Sequence, residues 1–278
     1  MPDDQRRLEL VPDPPAGPMT EIDSTRPHQA RVYDYWLGGK DNYAVDREVG
    51  ERAIRDFPGI IRGVRAQREF LGVAVRWLAG PAGIGQFLDI GCGLPAANNT
   101  HEVAQRANPA ARIVYVDNDP LVLSHARALL ASGPDGITAY IDADARNPGQ
   151  IIRRAARTLD FRRPVAVLLI GILQLVPDED APREIVRRLM ARVPPGSWLA
   201  VVHPASDIAP ELVTMASRLN ERSATPSYLR DHATVTSFFD GLDLLAPGVV
   251  PLGQWEPGAA AAAGGEEIPA YCGLAVKR

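Results

Sequence analysis

The sequence predicts an α/β protein: a doubly wound, mostly parallel seven-stranded sheet, closed by a C-terminal antiparallel hairpin and preceded by an N-terminal helical cap. Three observations carry this. Between residues 86 and 203, five short apolar runs alternate with amphipathic segments of helical length. That rhythm requires crossover connections, which are right-handed, and so a parallel sheet with helices on both faces. Beyond residue 240 two strand regions follow each other with no helix between them, which makes them antiparallel neighbours. Ahead of residue 81, apolar residues recur at helical spacing.

Taken in order, residues 1–23 (MPDDQRRLELVPDPPAGPMTEID) are rich in proline and charge and read as a disordered arm. Residues 24–80 read as the helical cap: Arg62, Arg65, Arg68 and Glu69 take a solvated face, while Phe70, Leu71, Val73, Ala74, Trp77 and Leu78 turn inward. The sheet domain, 81–278, has expected strands at 86–90, 112–117, 136–141, 164–170 and 197–203. Expected helices lie near 97–107, 120–131, 148–158, 179–192, 207–220 and 228–239. LDLLAPGVVPLGQW (242–255) gives one further strand region, EPGAAAAAGGEEIP (256–269) a low-complexity loop, and AYCGLAVKR (270–278) the last strand.

At 278 residues and 46% hydrophobic, the chain can bury one large core, and its net charge of −4 gives no electrostatic footprint for nucleic acid. The apolar run PVAVLLIGILQLVP (164–177) is shorter than the ~20 residues a bilayer span requires, so no membrane segment is expected. Cys92 and Cys272 are far apart and no secretory pattern opens the sequence, which points to a reducing cytoplasm. No histidine pair has metal-ligand spacing, so no metal is expected. Among 30 Lys and Arg residues only Lys40 and Lys277 are lysines, which singles out Lys40 in the aromatic stretch ARVYDYWLGGKDNY (30–43).

FLDIGCGLPA sets a glycine-rich turn after an apolar strand, where the backbone can approach a ligand closely. Gly91, Gly93 and Ala96 satisfy a dinucleotide fingerprint, with Asp117 standing 24 positions after Gly93 as a ribose-binding acid. An NAD-dependent oxidoreductase therefore stays open. Three features favour S-adenosyl-L-methionine (SAM). Asp89 puts a carboxylate at the mouth of the first strand, where it would receive a ligand ammonium and repel a pyrophosphate. Asp142 and Asp144, in IDADARNP, offer acceptors for an adenine amine. The closing hairpin is foreign to the usual dinucleotide fold.

FLDIGCGLP, VYVDNDPLVLSHARALL, ADARNP and PPGSWLAVVHPASD resemble the successive motifs of Rossmann-like class I SAM-dependent methyltransferases. With RPHQARVYDYWLGGKDNYAVDRE, THEVAQ and SFFDGLDLLAPGVVPLGQWEP, the chain from about residue 24 onward resembles the actinobacterial-type S-adenosyl methyltransferase family. The resemblance implies a SAM-dependent methyltransferase. In it, Asp89, Gly91 and Gly93 would surround the cofactor's amino-acid part and Asp117 would accept the ribose hydroxyls. Asn118 would lie beside the adenine, with Asp144 and Ala145 defining the adenine edge. Members commonly carry a histidine in an L-H-x-x-P pattern after the fourth strand, whereas ILQLVP has Gln174, which can hydrogen-bond but cannot act as a base.

Methyl transfer from a sulfonium chiefly requires alignment and water exclusion, so a dedicated base is optional. The candidates are His28 in the cap and His203 in VVHPASD, with Asp207 behind them; His101, His125 and His232 fall in helical stretches and read as packing or surface residues. Cys92 reads as a small filler. The Gly38-Gly39 pair ends a helix whose aromatics pack on the sheet. The same segment would form a lid, with Tyr33, Tyr35 or Trp36 facing the sulfonium and Lys40, Asn42 and Tyr43 reaching polar groups. The expected acceptor is a small molecule, such as a secondary metabolite; a SAM-binding regulator without transferase activity is the other reading, and no oligomeric state follows.

Overall fold

A computed structural model describes residues 23–129, 135–221, 226–258 and 268–278, with the side chains of 125–129 excepted. The expected arm thus lies, but for residue 23, outside the described residues, as do the end of the 120–131 helix and most of the 256–269 loop.

Three helices open the fold: α1 (Gln29–Trp36), α2 (Ala44–Asp56) and α3 (Ile60–Ala79). The alternating region follows as β1 (Gln86–Ile90), α4 (Thr100–Ala107), β2 (Arg112–Asp117), α5 (Pro120–Leu129), β3 (Ile137–Asp142), α6 (Pro148–Ala155), β4 (Ala166–Ile170), α7 (Pro182–Met190) and β5 (Trp198–Pro204). Then come α8 (Pro210–Asn220), α9 (His232–Ser237), β6 (Asp243–Leu244), β7 (Val250–Pro251) and β8 (Ala270–Val276). The sheet runs β3-β2-β1-β4-β5-β8-β6, with β7 also paired to β8. β1 to β5 are mutually parallel, and β8 runs antiparallel to β5, β6 and β7.

Among the described residues the sheet has eight strands, one more than the seven of the expected fold. Region 242–255 splits into β6 and β7, because Pro247 has no N–H to give a ladder and Gly248 adopts φ +89°. Several helices start later than periodicity alone suggested. Asn98 turns left-handed (φ 59°) before α4, and the Glu102 carboxylate accepts from the Asn99 N–H at 3.2 Å. Prolines at the first turn set the starts of α6, α7 and α8. The Asp231 side chain accepts from Thr234 N at 2.8 Å and starts α9.

The central strands read as unbroken apolar runs because helices cover both faces. Leu88, Ile90, Val114, Val116, Val167, Leu169 and Val201 point to the side of α6 and α7. Their alternates, Phe87, Ile113, Ala166, Leu168, Ala200 and Val202, pack with Phe70, Leu71, Ala74 and Leu78 of α3 and Val103 of α4. Each such fully buried Leu or Phe contributes roughly 1.5–3 kcal/mol. α3 is therefore part of the sheet's own layering. α1 and α2 form a separate cluster with α8 and the first turns of α3, through Val32, Trp36, Ala53, Val64, Leu212 and Met215. The strand order turns back between β1 and β4, so the crevice for a ligand opens at their carboxyl ends. Among the described residues no helix is long and apolar enough to cross a membrane.

Candidate active site

At that crevice lies a cavity of about 360 Å³, walled by the ends of β1, β2, β3 and β4 and roofed by α1 through Gln29, Ala30, Tyr33, Asp34 and Leu37. Asp89, 5% exposed, sits in its floor and accepts from Thr100 Oγ1 at 2.7 Å. Burial pushes its carboxyl up to about 6, although the Thr100 hydrogen bond and the Arg68 guanidinium oppose this. A buried carboxylate with one side-chain donor is a receptor for a cation. Arg68, read in the sequence as part of a solvated face, instead lines the cavity near Asp89, donating to Ala97 O at 2.9 Å. A carboxylate acceptor and a guanidinium lining one cavity match the ammonium and carboxylate of an amino acid.

Gly91 (φ +74°) needs glycine twice over, since a Cβ there would also lie 2.6 Å from Ile172. Gly93 turns left-handed as well (φ +64°), and its N–H donates to Asp117 Oδ2 at 2.9 Å. The other Asp117 oxygen accepts from Asn118 N at 2.9 Å and Asp119 N at 3.0 Å. Three donors leave this carboxylate one accepting position for a ribose hydroxyl. Burial raises its pKa against those backbone donors. Asn118 is exposed at the rim, and Ala145 is buried in the wall. Asp144 faces the cavity with Arg146, whose Nε lies 3.0 Å from both its oxygens; that partner first, over burial, holds the Asp144 carboxyl below its usual range. Asp142, also considered for the adenine, is exposed and does not line the cavity. The donor set fits SAM: paired charges for its amino-acid end, an acid for its ribose and an apolar and acidic wall for its adenine.

His28 lines the cavity and starts α1. Its Nδ1 lies 2.7 Å from Asp119 Oδ2 and 3.3 Å from Ala30 N; the shorter contact, to a carboxylate 4% exposed, makes Nδ1 the donor. Burial alone would raise the Asp119 carboxyl, but the His28 bond and charge bring it below its usual value. The motif reading missed Asp119, although an Asp directly before Pro120 and Leu121 is an N-cap signature: its Oδ1 accepts from Leu121 N at 2.9 Å.

His203 is not at the rim. It is 0% exposed, outside the cavity's lining, and its Nε2 accepts from Arg230 Nη1 at 2.8 Å while Nδ1 contacts Pro204 O at 2.9 Å. Burial, with Arg230 adding to it, lowers its pKa to about 4, so the ring is neutral. Arg230 also donates to Leu173 O at 2.9 Å and Val176 O at 2.7 Å and pairs with Asp178 at 2.7 Å, clamping the segment that carries Gln174. Asp207 accepts from His232 N at 3.0 Å. His101 is buried against the Tyr115 hydroxyl at 2.9 Å, and the His125 side chain lies outside the described residues.

The aromatic stretch divides between site and scaffold. Tyr33 lines the cavity and donates its hydroxyl to Val64 O at 3.2 Å, with burial raising its pKa. Trp36 is buried away from the cofactor cavity, its Nε1 donating to Gly50 O at 3.2 Å, and Tyr35 reaches Glu51 at 3.4 Å. Lys40 is exposed and lines neither the cofactor cavity nor the one beside it. Asn42 donates to Asp34 Oδ2 at 2.8 Å, and Tyr43 lies under the Arg31 guanidinium at 5.2 Å, so neither reaches the cofactor cavity. Cys92 is in the wall, its thiol pushed up first by burial, which leaves no activated nucleophile.

Comparison with known proteins agrees with this geometry. Residues 15–278 match the model of the S-adenosyl methyltransferase family. A DUF574 family protein from Streptomyces avermitilis is 44% identical over 93% of this chain and 100% of its own, with a TM-score of 0.87. A candidate methyltransferase from Thermobifida fusca is 38% identical over 92% of this chain and 97% of its own, with a TM-score of 0.85. The plantazolicin methyltransferase BamL, solved with a triazolic desmethylPZN analog and SAH, shares the fold at 13% identity and a TM-score of 0.50, over 89% of this chain and 95% of its own. No curated protein matches the chain. The family match displaces the NAD-dependent alternative, and the chain belongs to the S-adenosyl methyltransferase family, with SAM as its cofactor.

Proposed function

We propose that this methyltransferase acts on a small-molecule acceptor in the cytoplasm, and that α1 and α2 serve as a cap over its active site. The observation that carries the reading is that α1 lines one side of the cofactor cavity and the whole measures about 360 Å³, the size of a small-molecule site. Two free cysteines, Cys92 and Cys272, support a reducing compartment. Bound SAM supplies a sulfonium methyl for in-line displacement, the sulfur keeping the electron pair of the broken C–S bond. Asp89 and Arg68 hold the amino-acid end, Asp117 orients the ribose, and Tyr33 and Leu37 help to exclude water. Asp144 and Ala145 bound the adenine, with Asn118 at its rim.

For an acceptor that loses a proton, His28 is the base. With its Nδ1–H on Asp119, Nε2 is left as the nitrogen that takes the proton, as in other carboxylate-oriented histidines. His203, neutral and fully buried, is a positioning residue through Arg230. His28→Asn puts a strong N-cap residue at the start of α1 and should lower kcat about 100-fold while S-adenosylhomocysteine (SAH) binding changes little.

The test is transfer of labelled methyl from SAM into a cell extract separated by size. Label in the small-molecule fraction is expected. Label confined to protein or nucleic acid would overturn the reading.

A further inference from the structure

Adjoining the cofactor cavity lies a second one of about 140 Å³, lined by α1, α2, α3, α8 and the start of β8. The two have Gln29, Tyr33, Gln67 and Gln174 in common as lining residues, so these four form the partition between them. Beyond the partition the character changes: Trp36, Phe57, Val64, Leu212 and Met215 line the inner cavity, and none of its described lining residues is charged. An apolar cavity of ~150 Å³ accommodates one benzene-sized ring.

The partition carries an unmet hydrogen-bonding demand. Gln174 Nε2 donates to Gly171 O at 2.6 Å, which fixes the orientation of its carboxamide, since the flipped form would set two oxygens against each other. Its Oε1 is then buried with no donor among the described residues. Arg230 holds the backbone on either side of this residue, at Leu173 O and Val176 O, and Tyr228 N donates to Gln174 O at 2.8 Å. The orphaned acceptor is therefore held at a fixed point on the wall between an apolar chamber and the methyl donor's chamber. Gln67 reinforces the polar partition, with its amide over Gly171 and Nε2 3.4 Å from Ile170 O.

We propose that the inner cavity is the acceptor site, that it takes an uncharged single-ring compound bearing a hydroxyl or N–H group, and that Gln174 Oε1 receives that group's hydrogen. This rests on the small-molecule reading above and gives it a substrate class. The chamber takes the ring and rejects charge, because a buried ion there would have no partner. The hydrogen bond to Gln174 turns the acceptor's heteroatom towards the partition and so towards the cofactor cavity. Gln174 then selects a neutral donor-bearing group; on transfer the heteroatom's lone pair takes the methyl, the sulfur keeps the pair of the broken C–S bond, and the proton passes to His28, which lines the cofactor cavity with Gln174.

The test uses phenol, toluene and benzoate as probes, titrated into SAH-saturated protein. Phenol should bind about tenfold tighter than toluene, and benzoate should not bind. Gln174→Leu should erase the difference between phenol and toluene. Ala216→Phe, which fills the inner cavity from α8, should abolish binding of both while the SAH affinity, measured in the same experiment, stays within twofold. Equal binding of phenol and toluene, binding of benzoate, or phenol binding that survives Ala216→Phe with SAH affinity intact would each overturn the assignment. Transfer of label from SAM into small molecules that Ala216→Phe leaves unchanged would also overturn it while sparing the small-molecule reading; label confined to macromolecules would remove both.

Discussion

At the scale of single residues, the groups that a strand-turn-helix motif brings together were legible in the sequence. Asp89, Gly91, Gly93, Asp117, Asp144 and Ala145 stand at or just beyond the carboxyl ends of apolar strands, and parallel topology sends all those strand ends to one edge. Arg68 and Asp119 were not legible as site residues. Whether a helical arginine faces water or a cavity depends on what packs beside its helix, and Asp119 matters through His28, 91 positions away in the chain. Asp89 gives the sharpest residue-level prediction. Its folded-state pKa, about 6, lies above the usual 3.8, so stability from this group is present at low pH and lost as pH rises from about 4 through 6. Asp89→Asn cannot ionise and should make the ligand-free protein more stable at pH 7 by about 2–3 kcal/mol, read by calorimetry. The same substitution should weaken SAH binding by about 10- to 100-fold. Wild-type affinity for SAH should rise with pH through about 6, because only the carboxylate attracts the ammonium; the variant should lack that dependence.

At the scale of elements, the α1–α2 connection explains the double glycine. Gly38 ends α1 at φ +81°, and a Cβ on Gly39 would lie 1.9 Å from Asp34 Oδ1. The close approach exists because Asp34 gathers the turn, accepting from Asp41 N at 2.9 Å and Asn42 Nδ2 at 2.8 Å. At the other end of α1, Asp46 is 0% exposed and accepts from His28 N at 2.9 Å while pairing with Arg31 at 3.2 Å. The aromatic stretch is thus a roof with a rigid hem, and the polar residues expected to touch the ligand instead hold the hem. Gly39→Ala should displace the Asp34 carboxylate, cost about 1–3 kcal/mol from its lost hydrogen bonds, speed hydrogen exchange over residues 37–43 and weaken SAH binding. Unchanged exchange there would show that Asp34 does not organise the turn. The periodicity of residues 24–80 revealed helices, but not that α3 belongs to the sheet while α1 and α2 form the roof. That division depends on which apolar faces meet, and Val64 of α3 joins the roof cluster while Phe70 and Leu71, one to two turns on, join the sheet.

At the scale of the whole molecule, two buried groups pull the acid stability in opposite directions. His203 titrates near 4 when folded against 6.5 ordinarily, so its neutral form supports the fold above about pH 6.5, and that support is lost as pH falls towards 4. Asp89 adds stability over nearly the same descent. Thermal midpoints from pH 4.5 to 7.5 should therefore change less than either group alone dictates. Asp89→Asn should steepen the acid loss, and His203→Gln, which keeps an acceptor for Arg230, should flatten it. The doubly wound sheet and its antiparallel closure were readable from rhythm alone, since alternating periodicity fixes topology; the second cavity was not, because it forms among α1, α2, α3, α8 and β8, which are distant in sequence. The account as a whole rests on where SAM lies. A crystal structure with SAH tests this most directly. The predicted result has its ammonium on Asp89, its carboxylate by Arg68, its ribose on Asp117 and its adenine against Asp144 and Ala145, with the sulfur facing the partition of Gln67 and Gln174. SAH seated elsewhere, or with its sulfur turned away from that partition, would contradict it.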